Sequence, residues 1–335
     1  MTDEYVKLLK ADPRPWLLEE ADPSVRYFTL TGLMDKAESH PSVKKAKGEI
    51  MRAGPVPTIL FKQREGGHWE SAEDFYQRTK YRGTVWQVIV LAELGADGRD
   101  PRVRKAVEFL LNWSQDRETG GFSYQGSARG GTHAGVLSCL TGSMVWSMTR
   151  LGYLDDPRVR RGIEWIVNYQ RCDDAVEEAP SGWPYDKFEK CWGAHTCHMG
   201  VVRTLKALAE IPPRKRTQAT QSMIGLECEH LLAHRLFKRS HAPDVVAKPS
   251  WLQFGFPLLW NTDALDMFGL LVKLGYHDVR MEDAADLILS KQDSDGTWAL
   301  ETTFNGRFQV NIERKGRPSK WVTLRALRSL RGYLG

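Results

Sequence analysis

A helix-length apolar stretch ending near Leu-Gly recurs along the chain as TVWQVIVLAELG, GSMVWSMTRLGY and ALDMFGLLVKLGY, with related patterns in CHMGVVRTLKALAEI and KWVTLRALRSL. Anchored on its late leucine, the stretch falls at Leu94, Leu151, Leu208, Leu274 and Leu330, in steps of 57, 57, 66 and 56 residues, and SVRYFTLTGLMD begins the series. A short turn and a second amphipathic segment follow, as in DPRVRKAVEFLLNWSQ, DPRVRRGIEWIVNYQ, HPSVKKAKGEIMRAG and HDVRMEDAADLILSKQ. A glycine-aromatic loop comes next: GGHWE, GGFSY, SGWPYD or DGTWAL. Repetition on this scale restricts the fold more than any single motif, because one supersecondary unit repeated must bury its apolar face on its neighbours.

One helix of each pair is apolar nearly all round and the other carries a charged stripe, so the first is an inner helix and the second an outer one. Six such pairs bury their inner helices together by closing into a ring. The expected fold is all-α, an α/α toroid of six helix-pair repeats forming a single domain over residues 1–335. The inner ring is expected at residues 25–34, 84–94, 141–151, 198–208, 264–274 and 321–330. An apolar content of 41% against 27% charged residues supplies a large core.

The stretches VEFLLNWSQDRETGGFS, RGIEWIVNYQRCDDAVEEAPSGWPYD and ADLILSKQDSDGTWAL resemble the Gln-Trp repeats of squalene-hopene cyclases and related prenyltransferase-repeat proteins, over nearly the whole chain. The resemblance implies an α/α toroid whose inner-helix N-termini open into a cavity used for polyprene cyclisation, prenylation, thioether ring formation or binding. It thus implies a terpenoid-cyclase-like or prenyltransferase-like protein, isomerase or transferase in type, with an apolar isoprenoid-type ligand. A non-catalytic toroid scaffold that binds a peptide or partner protein is the alternative, and a zinc-dependent transferase or lanthionine-cyclase-like enzyme is a second one, since one fold serves several chemistries.

Counting eleven residues back from each anchor leucine brings Gly83, Leu140, Cys197, Asp263 and Ser319 to one depth near the helix N-termini. The Asp-x-Asp-Asp proton donor of the cyclases, laid on this chain, puts its last aspartate on Asp263 and its other positions on Trp260, Asn261 and Thr262, so that motif is not intact. Asp263 and Asp266 lie at i and i+3 on one helix side. They are read either as a substitute acid pair or as a cap that satisfies free N–H groups of the first turn. Of the two, Asp263 is expected to face the cavity and Asp266 to serve the helix end. His133, His195, His198, Trp86, Trp260, Trp321, Arg82 and Lys320 are the expected ligand-binding residues, the tryptophans as walls whose faces would stabilise a carbocation.

No cofactor is expected. If zinc were present, Cys191, Cys197 and His198 in KCWGAHTCHMG would be the ligands that a likeness to lanthionine cyclases suggests, and Asp263, Cys197 and His133 or His198 those that a likeness to protein prenyltransferases suggests. SWLQFGFPLLW, residues 250–260, is rich in large apolar groups for a loop and is expected to line or cover the cavity, or to dock weakly on a membrane. The five cysteines are expected as reduced thiols, and the absence of an h-region or an apolar run of about 20 residues suggests a cytoplasmic protein. Eight basic residues against Glu313 alone from Asn305 to Gly335 make a basic tail, read as a solvated face. No recognised motif interleaves basic residues with exposed aromatics, so nucleic acid is not an expected partner.

Overall fold

The computed structural model describes residues 4–76, 81–175 and 177–335. Each expected inner segment is a helix: α2 (Pro23–Gly32), α5 (Thr84–Glu93), α7 (Ser138–Arg150), α10 (His198–Glu210), α12 (Ala264–Lys273) and α14 (Lys320–Leu334). Between them run α3 (Pro41–Ile50), α4 (Pro55–Phe61), α6 (Pro101–Trp113), α8 (Pro157–Tyr169), α11 (Gln218–Ala233) and α13 (Glu282–Ser290). Two single turns, α1 (Arg14–Leu17) and α9 (Glu189–Trp192), are the remaining α-helices among the described residues, beside short 3-10 turns. Sheet among the described residues amounts to two antiparallel hairpins, β1 (Gly126–Ser127) with β2 (Gly130–Gly131), and β3 (Lys238–Arg239) with β4 (Ala242–Val246).

The two kinds of helix differ as their patterns require. In α5 nine of the ten residues are buried, from Thr84 to Ala92, whereas α6 buries one stripe of Val103, Ala106, Val107, Leu110 and Leu111. The outer helices α6 and α8 begin alike. Asp100 and Asp156 accept from the amides of Arg102 and Arg158, and proline follows each cap, where its missing N–H costs nothing.

The Leu-Gly signature is a stop. Gly95, Gly152 and Gly275 take positive φ, and the next amide donates back to the carbonyl five residues earlier: Ala96 to Leu91, Tyr153 to Met148, Tyr276 to Leu271. The Gln-Gly-aromatic signature is a stitch. Gln63 Nε2 donates to the Gly67 and Arg102 carbonyls, and Gln115 Nε2 to those of Gly120 and Arg158, tying each loop to the start of the next outer helix. The loop aromatics Trp69, Phe122 and Trp298 are buried, and their amides donate to Thr84, Thr141 and Thr323 Oγ1 near the start of the following inner helix.

Among the inner helices, α5 packs on α7, α7 on α10, α10 on α12, α12 on α14 and α14 on α2. Two of these approaches need a missing side chain. A Cβ on Gly142 would lie 2.5 Å from the Arg203 backbone of α10, and one on Gly269 would lie 2.6 Å from Ser329 Oγ of α14. From α2 the Phe28 ring reaches Gly95 at the end of α5. The buried apolar residues form one continuous cluster from Tyr5 to Tyr333. The N-terminal segment joins it where the last loop lacks an outer helix to stitch to: Lys10 N donates to Gln292 Oε1 at 2.9 Å.

Candidate functional site

A cavity of about 350 Å³ is lined by residues from all six inner helices. Its position corrects the expectation of a mouth at the helix N-termini. Gly32, Glu93, Arg150, Glu210, Lys273 and Ser329 all line it, and each stands in the last turns of its own helix. Arg328 and Lys273 are solvent-exposed at this end, so the cavity opens among the helix C-termini. The floor holds Asp266, from the first turn of α12, with Arg325 beside it.

The two aspartates divide their roles in the reverse of the expected way. Asp263 is the N-cap of α12 and fully buried. One carboxylate oxygen accepts from Asp266 N and, at 3.0 Å, from Arg325 Nη2; the other accepts from Gly255 N at 3.0 Å. Arg325 Nη1 also donates to the Gly255 carbonyl at 2.9 Å, so the loop of residues 250–260 is fastened over this end. Asp263 does not line the cavity; Asp266 does.

The environments push the two carboxyls apart. Burial raises the proton affinity of Asp263, against the pull of Arg325. Burial would raise Asp266 as well, but Lys206, Arg203 and Arg325 hold it well below the usual carboxylate range, with oxygen-to-nitrogen distances of 3.6, 3.7 and 3.6 Å. The acid nearer a cavity ligand is thus held deprotonated and has no proton to give. The acid with the raised proton affinity has both oxygens engaged and sealed off.

Around Asp266 the lining is strongly charged. Five cations, Arg150, Lys206, Lys273, Arg325 and Arg328, face three acids, Glu93, Glu210 and Asp266. Lys206 pairs with Glu93 at 2.9 Å, and Lys273 and Arg150 share Glu210 at 2.6 and 3.5 Å. Glu210 stays below the ordinary range although burial raises it, because Arg150, Lys273 and Lys206 stand near it. The Arg328 guanidinium lies over Gly32, whose Cβ would meet its Nε at 2.7 Å. Protein packed around Arg328 and the neighbouring Arg150 lower its proton affinity, and Glu210 opposes them. The apolar walls are Phe28, Trp146, Trp321, Leu265, Leu270 and Leu324. Lys206 Nζ stands 4.4 Å from the Trp146 ring centroid, and the Arg150 guanidinium 5.2 Å from that of Phe28.

Of the expected ligand-binding residues, Trp321 lines this cavity and the others lie elsewhere. Trp86 is buried with its Nε1 on the Tyr76 carbonyl, and Trp260 donates to Tyr81 Oη at 3.1 Å on the N-terminal side. Arg82 pairs with Glu70, and Lys320 with Glu19 and Asp22. His133 stacks on Trp183 and contacts Asp116, while His195 contacts Asp174. The thiols of Cys191 and Cys197 influence each other, which raises Cys191 and lowers Cys197 to about 6. Among the described residues, these two cysteines and His198 do not gather as one ligand set; His198 instead meets His230 and His234. Asp263, Cys197 and His133 do not gather either. All five cysteines are free thiols.

The cavity residues missed by sequence reasoning include Glu93, Arg150 and Lys273. Their signal was present: each immediately precedes an anchor leucine, a charge set into an otherwise apolar helix end.

No known protein-family profile matches the chain, and neither does any curated protein. Among solved structures it is similar to a protein from Actinoplanes, at 15% identity over 94% of this chain and 91% of that one, with a TM-score of 0.43. It is similar to the type II terpene cyclase MstE from Scytonema at 15% identity, over 93% and 87%, with a TM-score of 0.41. A sugar epimerase from a ruminal bacterium follows at 13% identity, over 73% and 69%, with a TM-score of 0.41. Likenesses of this size assign neither a family nor a chemistry to the chain.

Proposed function

We propose that the six inner helices close a single α/α toroid and that its cavity binds a small molecule with an anionic head and an apolar body. A phosphorylated or carboxylated isoprenoid is the ligand class that uses both halves of the lining. The observation that carries this reading is the excess of cations over acids in a cavity that also has aromatic walls. A neutral polyprene would leave the buried charges of Lys206, Arg325 and Asp266 desolvated and would gain nothing from them, whereas an anionic head completes their coordination.

The chemistry such a cavity favours is departure or transfer of an anionic group, because fixed cations stabilise negative charge as it develops. Protonation of an alkene has less support, since Asp263 is sealed and Asp266 is held anionic. No helix among the described residues is long and apolar enough to cross a membrane.

Calorimetric titration with geranyl diphosphate, geraniol and inorganic diphosphate tests the reading. Geranyl diphosphate is expected to bind at least about tenfold more tightly than either fragment, a difference of about 1.4 kcal/mol, and more weakly as salt is raised. Equal affinity for geraniol and geranyl diphosphate would remove the anionic head from the proposal. Binding of none of the three would remove the ligand class.

A further inference from the structure

Five of the nine histidines, at positions 195, 198, 230, 234 and 241, fall within one quarter of the sequence, and the fold gathers three of them. His198 is the first residue of α10, while His230 stands in the last turn of α11 and His234, four residues on, is its C-cap. Each offers one ring nitrogen, and these atoms all lie within 4.8 Å of one another. The ring centroids form a triangle with sides of 4.4, 5.2 and 5.4 Å.

The opposite nitrogen of each ring is already engaged by a backbone carbonyl. His198 Nε2 lies 3.1 Å from the Leu236 oxygen, His230 Nδ1 3.4 Å from that of Cys172, and His234 Nδ1 2.8 Å from that of His230. A carbonyl can only accept, so those nitrogens carry a proton, and in the neutral ring the other nitrogen keeps its lone pair. Two of these lone-pair atoms, His198 Nδ1 and His230 Nε2, are buried without a hydrogen-bond partner among the described residues. The third, His234 Nε2, faces a carboxylate oxygen of Asp174 at 3.5 Å. In the neutral ring two acceptors meet there with no donor between them, an arrangement that a cation relieves. Burial also disfavours protonation of His198 and His230, and His230 is lowered to about 4.

We propose that His198 Nδ1, His230 Nε2 and His234 Nε2 form a binding site for one divalent transition-metal ion of the zinc type, with the Asp174 carboxylate at its outer edge. Neutral imidazoles select zinc, cobalt, nickel or copper over magnesium and calcium, and a proton fixed on the far nitrogen by a carbonyl is how protein metal sites orient such ligands. Zinc–nitrogen bonds of about 2.1 Å in tetrahedral array need nitrogens about 3.4 Å apart. The triangle therefore tightens by small ring rotations on binding. The ion would clamp the start of α10 to the end of α11 and hold the Asp174–His195 pair beside it. The site is independent of the cavity, which takes Lys206 and Glu210 from the other half of α10.

The test uses the full chain without an affinity tag, stripped with chelator and titrated with Co²⁺, followed by visible absorption and calorimetry. One Co²⁺ per chain is expected, with the d–d bands of low coordination number, displaced by Zn²⁺. X-ray absorption should show a nitrogen and oxygen shell with imidazole scattering. Stoichiometric binding should be lost in the His230→Gln, His234→Gln double variant and kept in Cys191→Ser and Cys197→Ser. Substoichiometric binding to the wild type, a sulfur shell, or binding that survives the double variant would overturn the proposal. If the double variant fails to fold, the X-ray absorption of the wild type decides between the imidazole and thiolate sets.

Discussion

The two ends of the inner helices arise from one repeat and treat charge in opposite ways. At the N-terminal end, one carboxylate satisfies everything it meets: Asp263 takes two backbone N–H groups and a guanidinium, and the surrounding loop closes over it. At the C-terminal end, cations collect instead. Helix C-termini expose carbonyls, and Arg150 Nε answers one of them at Ala92 O. A guanidinium has five N–H donors, so capping a carbonyl leaves several over. An anion that caps an N-terminus is used up, whereas a cation that caps a C-terminus keeps binding capacity. That asymmetry puts the sealed end of the bundle at the amides and the open end at the carbonyls.

The largest expected effect lies at the sealed end. Asp263→Ala leaves the Gly255 and Asp266 amides and the Arg325 guanidinium without their acceptor, and a buried ion pair broken on one side costs about 3–5 kcal/mol. Urea unfolding monitored by tryptophan fluorescence should show that loss. Asp263→Asn keeps the cap and should cost less. A loss below about 1 kcal/mol for Asp263→Ala would show that this end is not sealed by the carboxylate at all.

Asp266 sharpens the contrast through pH. Its folded-state proton affinity is depressed below the unfolded value of about 3.9, so its contribution is complete above that pH and disappears as pH falls through the lower folded value. Asp266→Asn should therefore cost about 1–3 kcal/mol at pH 6, the range of a hydrogen-bonded charge, and the gap to wild type should narrow below about pH 4. A gap that stays constant from pH 6 to pH 3 would mean that Lys206, Arg203 and Arg325 do not hold the carboxylate as the distances imply.

Helix positions were legible in the sequence because burial on all sides, capping and the Leu-Gly stop are local. Gly83, Cys197, Asp263 and Ser319, aligned by counting back from the anchors, are indeed helix N-caps, although α7 begins earlier and puts Leu140 inside it. Which end of the inner helices would be open was not legible. It depends on how the loop of residues 250–260 folds back on Asp263 and Arg325, and neither contact has a sequence signature. The charges before the anchor leucines, Glu93, Arg150 and Lys273, were visible in the sequence, but nothing local joins them into one lining. His230 and His234 stood at a helical spacing, yet nothing in the sequence brought them to His198 from another helix.

The smallest stability effect and the sharpest division between the ends belong to Arg328. It makes no hydrogen bond or ion pair with any described residue within ordinary reach, it is solvent-exposed in the cavity, and its neighbour Arg150 repels it. Arg328→Gln should leave stability within about 0.5 kcal/mol of wild type, as expected for a side chain that completes no network. Affinity for geranyl diphosphate should nevertheless fall about tenfold, since a charge-assisted bond to the head is worth about 1.5–3 kcal/mol before screening. Gly32→Ala should reproduce the binding loss, because its Cβ would occupy the space of the Arg328 Nε. If Arg328→Gln instead destabilises the fold by about 2 kcal/mol and leaves ligand affinity unchanged, the C-terminal end is structural like the N-terminal one, and the charges of the cavity are there to hold the inner helices together.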